Sequence, residues 1–347
     1  MEKIRESRMM KYFSFILTAL FTLLFYVNPS FAEDSGLELS EGWTAEIITE
    51  CGDDLPDMLM LSADGKSLYQ SCETKENMLS PSLARINIAT GKREILLYGL
   101  GRADGMRFAE DGSIWLGEEQ KDGLIWRIES PDTLPPEQRA DRNRLKTSSK
   151  QIQVMTQAGT FSHEGLTFSA DGTYLYLADE WKEGCLYRLH VKNKMLQVFH
   201  AKKGWLTITK PSQARQQAEQ LHGTWYNRLE DMELMPDGRI LITETGTGRI
   251  LVLDDKNNKP EVSLFLQHPD IEHPDNLEWD ASRGWLWVSD DSNDSQLWAW
   301  DGKTFTLIAN HTSAEITGIE SGADGTIYFN LQHRRFAPDL TMRLFQK

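Results

Sequence analysis

Acidic side chains recur in this sequence at one register. About seven residues before each of six turn-like segments stand Asp57, Asp104, Glu164, Glu230, Asp275 and Thr317, five carboxyls in six places, although their surroundings are largely apolar, as in Glu164-Gly165-Leu166-Thr167-Phe168. Carboxylates gathered around one axis raise one another's pKa and cannot all stay ionised without compensation. Hard cations ligated by oxygen resolve that repulsion, and calcium is the expected one. A second acidic set follows the next strand-like runs: Glu73, Glu118-Glu119, Asp179-Glu180, Glu244 and Asp290-Asp291. These either extend the same site or serve as turn residues.

Cationic and imidazole groups near these acids complete the candidate chemistry. Arg102, Arg249 and Arg334 could clamp a phosphoryl or carboxyl group, with an ordinary surface role as the alternative. His163, beside Glu164, could ligate a metal or donate to a leaving group, and His273 and His333 flank other acidic motifs. A hydrogen-bonded structural role is the competing reading for each His. Other chemistries find little support, because Gly246-Thr247-Gly248 lacks a following Gly-Lys-Ser/Thr and no Gly-x-Ser-x-Gly elbow occurs.

The elements that must position these residues are short strands around recurrent turns. Asp64-Gly65, Asp111-Gly112, Asp171-Gly172, Asp237-Gly238, Ser282-Arg283-Gly284 and Asp324-Gly325 each sit between an apolar run and an alternating aromatic or aliphatic one, such as Trp285-Leu286-Trp287-Val288. The spacing matches a four-stranded blade with insertions, so the fold expected is all-β, a single six-bladed β-propeller over residues 33–347. Two longer steps hold insertions, near Ser130 to Ser149 and near Lys202 to Thr224, the second with a helix-like stretch from Ser212 to Glu219. The eleven Trp are expected in blade packing, with stacking on a substrate open to any near the channel.

The chain has 347 residues and a formal charge of −15, which repels nucleic acid and anionic membranes and excludes nucleic-acid binding. Lys3, Arg5, Arg8 and Lys11 precede a charge-free run from Phe13 to Val27 and a small-x-small site at Ser30-Phe31-Ala32. Residues 1–32 therefore read as a Sec-type signal peptide cleaved after Ala32, with translation from Met1, Met9 or Met10. An uncleaved anchor is the alternative. The mature protein is expected in the periplasm or secreted, monomeric, without stable membrane insertion. Three Cys allow one internal bridge, Cys51 to Cys72 by sequence closeness, or three buried free thiols.

These motifs resemble those of the PhoX-type alkaline phosphatase family, exported six-bladed propellers. The similar segments are Trp115-Leu116-Gly117-Glu118-Glu119, Phe161-Ser162-His163-Glu164-Gly165, Leu229-Glu230-Asp231, Pro274-Asp275-Asn276-Leu277, Glu315-Ile316-Thr317-Gly318 and Phe329-Asn330-Leu331-Gln332-His333. The resemblance implies phosphomonoester hydrolysis at a calcium and iron cluster, with Glu118, Glu164, Glu230, Asp275, Asn276 and Glu315 as metal ligands or their neighbours. Gly117 stands where that family has a cysteine ligand, and Arg334-Arg335 replaces its Pro-Gly, so a calcium-only site is the more economical expectation and iron the alternative.

Three readings result. The first is an exported calcium-dependent phosphoric-ester hydrolase acting on a small phosphate ester, with Asp104 joining the ligands above and His163, Arg249 and Arg102 in catalysis. The second is a gluconolactonase-like calcium-dependent lactonase. The third is a non-catalytic, calcium-stabilised binding propeller.

Overall fold

A computed structural model describes residues 35–347 except 76, 78, 257, 258 and 293. The proposed signal segment at residues 1–32 lies outside the described residues. Six sheets, antiparallel except where an added strand of blade 1 pairs in parallel, follow one another along the chain as the blades of a propeller. The innermost strands of blades 1 to 6 are Pro56–Leu61, Ala103–Phe108, His163–Phe168, Leu229–Leu234, Pro274–Asp280 and Glu315–Ser321.

Each Gly-bearing turn read in the sequence joins an innermost strand to the second strand of its blade. Gly65, Gly112, Gly172, Gly238, Gly284 and Gly325 all adopt positive φ, which is why glycine recurs there. The aspartate before the glycine accepts the backbone N–H two residues on, as Asp111 does from Ser113 at 3.0 Å. Blade 5 lacks that aspartate, and Asp280 takes over by accepting from Ser282 N at 2.9 Å.

Closure of the ring was not legible locally. Blade 6 takes its outermost strand from the start of the domain, Trp43–Gly52, which pairs with the last strand, Asp339–Gln346. Between blades the core is aromatic and aliphatic: Trp43 meets the fully buried Trp287 edge-on at 5.6 Å, and Trp126 is fully buried between blades 1 and 2. The first insertion contributes the short strands Gln138–Asp141 and Lys146–Thr147 to the outer edge of blade 1. The second contains the helix Ala214–Gln220.

The expected Cys51–Cys72 bridge is not formed, and all three cysteines are buried free thiols. Each thiol has its own partner: Cys51 Sγ lies 3.3 Å from Thr341 Oγ1, and Cys72 Sγ accepts from Arg93 Nη2 at 3.2 Å. The two residues end strands of different blades, 6 and 1.

Candidate metal centre

Every innermost strand breaks its ladder with a bulge near its start. In blades 1 to 5 the first residue pairs with the second strand and the next two are left out, as between Pro56 and Leu59 or His163 and Leu166. The first unpaired residue is the recurrent acid: Asp57, Asp104, Glu164, Glu230 and Asp275. A bulge re-aims the side chain, and here it turns five carboxyls toward the channel mouth. Blade 6 bulges later, after Thr317, whose hydroxyl donates to Pro56 O at 3.2 Å. Glu315, two residues earlier and so on the same strand face, reaches the mouth in its place.

Glycine in the second bulge position lets adjacent inner strands approach. A Cβ on Gly105 would lie 1.4 Å from the Glu164 carbonyl oxygen, and one on Gly165 would lie 1.9 Å from that of Glu230. Where the position carries a polar side chain it ties the strands together: Asp231 Oδ2 accepts from Leu277 N at 2.9 Å, and Asn276 Oδ1 from Gly318 N at 2.6 Å. The acids are thus held on a rigid ring.

A second ring comes from the residue just past each second strand: Glu73, Glu119, Glu180, Thr245, Asp291 and His333. In blades 1 to 5 its backbone N–H donates to the residue before the inner strand, Leu55, Arg102, Ser162, Arg228 or His273, at 2.8 to 3.1 Å. That link brings the guanidiniums of Arg102 and Arg228 to the mouth. Arg102 donates to Glu119 Oε2 at 2.6 Å through Nε and also reaches Glu73; Arg228 donates to Glu180 at 2.6 Å and lies 2.5 Å from Glu230 Oε1.

The mouth encloses a cavity of about 320 Å³ lined by nine carboxyls, from Asp57, Glu73, Asp104, Glu119, Glu164, Glu230, Asp275, Asp291 and Glu315. Against them the lining sets the cationic side chains of Lys75, Arg102 and Arg228 and the imidazole of His333. Oxygen atoms of Asp57, Glu73 and Asp104 lie within 4.8 Å of one another, and so do those of Asp104, Glu119 and Glu164, so that Asp104 belongs to both triads. Glu164 Oε2 is buried without a hydrogen-bond partner. Burial and mutual repulsion drive the carboxyl pKa values of Asp57, Asp104, Glu164, Glu230 and Glu315 well above the usual range. Burial, with Glu73 beside it, pushes Glu119 up to about 8; burial, with Asp291, does the same for Asp275. The donor set is oxygen alone, crowded and under-compensated, which fits a hard divalent cation such as calcium. Iron finds no support here: Cys51, Cys72 and Cys185 all lie away from the cavity lining.

Asp104, Glu164, Glu230, Asp275, Glu315 and Arg102 meet at this mouth; Glu118, Asn276, Arg249 and His163 do not, nor do Arg334 and His273. Glu118 and Glu119 are neighbours on a strand end and point oppositely. Glu118 faces inward, accepting from Gly101 N and Leu124 N at 3.0 Å each and pairing with Arg142 at 3.0 Å, so it is the wrong member of the pair. Asn276 braces Gly318 and is absent from the cavity lining. Arg249 is held by Glu244, its Nε donating to Oε2 at 2.7 Å. His163 is fully buried, with its ring 3.9 Å from that of Phe161, and burial pushes its pKa down to about 3, so it stays neutral. The sequence places Glu119 only in the second acidic set and does not single out Arg228; Glu119 directly follows the strand that ends at Glu118, and Arg228 stands two residues before Glu230.

Further down the channel, three residues past the first ring, stand Arg107, Glu233, Glu278 and Glu320. Arg107 Nη2 donates to Glu233 at 2.8 Å and to Met232 O at 2.6 Å. Burial pushes Glu233 and Glu320 up to about 7 and Glu278 well above the usual carboxyl range.

No protein-family model matches the chain, and no curated protein matches it in sequence. Solved structures do. A gluconolactonase from Xanthomonas campestris superposes with a TM-score of 0.59 at 12% identity, over 92% of this chain and 94% of that one. The calcium-binding protein regucalcin from Agrobacterium tumefaciens gives 0.54 at 12%, over 86% and 92%. A virginiamycin B lyase from Staphylococcus aureus gives 0.51 at 14%, over 88% and 100%. At such identities the likeness establishes the six-bladed fold. It also corrects the expectation of a phosphoric-ester hydrolase, since the structural neighbours are propellers of the gluconolactonase and regucalcin kind and not PhoX-type phosphatases. The site agrees with that correction: His163 and Arg249 are absent from the cavity lining, and the guanidiniums of Arg102 and Arg228 are already paired with carboxylates that would repel a phosphate.

Proposed function

We propose that the protein is a calcium-dependent lactonase whose site is the carboxyl-lined mouth. The observation that carries this reading is the pair of triads sharing Asp104, with the unpartnered Glu164 Oε2 buried beside them. Asp57, Glu73, Asp104, Glu119 and Glu164 would hold the cation. Bound there, calcium supplies a Lewis acid for a lactone carbonyl.

The remaining groups line the other side of the cavity. Asp275, pushed up to about 8 by burial and Asp291 in the metal-free mouth, would lose its proton once calcium compensates the mouth, and in that ionised form would accept a proton from water and return it to the departing ring alcohol. Arg228, anchored through Glu180 and Glu230, presents N–H donors to substrate oxygens. A neutral lactone enters a negatively charged mouth without the repulsion that opposes a phosphate ester.

The basic and apolar segments of residues 1–32 support an exported protein, and nothing in this mechanism requires more than one chain. The test is metal content and calorimetric calcium binding, with hydrolysis of an aldonolactone and of a phosphomonoester followed before and after chelation. Lactone hydrolysis lost on chelation and restored by calcium supports the reading. Absence of calcium binding, or lactone hydrolysis that survives exhaustive chelation, overturns it.

A further inference from the structure

Two tryptophans break the packing role of the others. Trp181 is 46% exposed and Trp225 53% exposed, while Trp126 and Trp287 are fully buried. Both exposed rings line one cavity of about 360 Å³, outside the metal centre. The backbone explains the meeting: Trp225 pairs with Cys185 at the start of the third strand of blade 3, Gly184–His190, and Trp181 sits in the turn just before that strand. The helix Ala214–Gln220 closes the remaining side with Arg215 and Glu219.

The polar groups define what the cavity can take. Arg215 pairs with the buried Asp179, Nε to Oδ2 at 2.8 Å, and its guanidinium lies 4.5 Å over the Trp181 ring. Tyr187 Oη, fully buried at the floor, finds no hydrogen-bond partner beyond the weak thiol of Cys185. Asp179, Glu183 and Glu219 outnumber Arg215 in the lining, which disfavours anions. One ring face of Trp181 already carries a cation, which disfavours an aromatic cage for a quaternary ammonium. Exposed indole faces with carboxylate acceptors and a guanidinium donor around them suit a neutral ring that has an apolar face and hydroxyl edges.

We infer that this Trp181–Trp225 cavity is a saccharide-binding subsite that takes a neutral pyranose ring. It adjoins the mouth, because Arg228 N donates to Trp181 O at 2.9 Å and Arg228 also pairs with Glu180. A glycosylated substrate could therefore occupy both cavities. The subsite itself does not depend on the lactonase reading, and its test uses binding alone.

The experiment is titration of the full chain with the neutral disaccharides cellobiose and maltose, followed by intrinsic Trp fluorescence and calorimetry, with and without chelator. Saturable binding of at least one is expected, weakened about tenfold or more in Trp225→Ala and in Trp181→Ala and retained after chelation. Both positions are exposed, so the variants should keep the wild-type circular dichroism spectrum. No saturable binding of either sugar, or binding unchanged in both variants, would overturn the inference. Absence of lactone hydrolysis in the calcium-loaded wild-type chain with sugar binding intact would count against the proposed function and leave the subsite standing.

Discussion

Calcium should stabilise this protein much more at pH 8 than at pH 5, and the crowded mouth gives the size of the effect. Without metal, Glu119 and Asp275 hold protons up to about pH 8 in the folded chain, against ordinary carboxyl values of 4.5 and 3.8. Between about pH 5 and 8 the folded state then binds more protons than the unfolded state, so stability falls as pH rises. Each such group contributes a slope of about 1.4 kcal/mol per pH unit, roughly 3 kcal/mol for the pair at its steepest. A bound cation removes the need for those protons, so the calcium-loaded protein should lack this slope. Release of about two protons near pH 6.5 would tighten calcium binding by up to about 100-fold per pH unit. Thermal unfolding at pH 5, 6, 7 and 8 with chelator or with millimolar calcium gives the first quantity. Calorimetry in buffers of different ionisation enthalpy counts the protons. Metal-free stability that stays flat or rises from pH 5 to 8, or calcium binding without proton release, would refute the reasoning.

The paired acids at the end of blade 2 should separate cleanly: Glu119→Gln should weaken calcium binding at least about tenfold, whereas Glu118→Gln should leave it near wild type and cost stability by uncompensating Arg142, both read by calorimetry and thermal unfolding. Gly105→Ala forces a Cβ against the Glu164 carbonyl, so a loss of about 2 kcal/mol or more and weaker calcium binding are expected from denaturant unfolding and calcium titration. Arg107→Met removes the guanidinium that faces Glu233 and Asp231 in the channel and should cost about 3 to 5 kcal/mol, with the loss smaller at pH 5, where Glu233 and Glu320 are protonated. Unchanged unfolding in that last variant would remove Arg107 from any role in holding the channel together.

How much of this molecule could be read from its chain depended on whether the determining interaction was local. The six turns were legible because positive φ demands glycine and an aspartate two residues earlier satisfies the turn's own N–H. The first acidic ring was legible because the same bulge recurs at a fixed distance from those turns. Closure by Trp43–Gly52 against Asp339–Gln346 left no local trace, since the pairing spans the whole domain. Neither did the sense of Glu118 and Glu119, because a shift of one residue on a strand exchanges the two faces.

The same distinction explains why the phosphatase expectation failed while the metal expectation fitted. Acidic residues at bulge positions are dictated by the scaffold's repeat, and any propeller that concentrates carboxyls there faces the same electrostatic demand for a cation. The choice of substrate rests on groups set between blades, such as Arg228 clasped by Glu180 and Glu230, or Arg215 clasped by Asp179. Short motifs such as Gly117-Glu118-Glu119 report the strand end but not which carboxyl faces the mouth, nor whether a nearby arginine is already neutralised. Once those pairings are seen, Arg102 and Arg228 each meet two carboxyl groups with a single positive charge. What the mouth lacks is positive charge, and a cation supplies that lack directly where an anionic substrate would need the cation first.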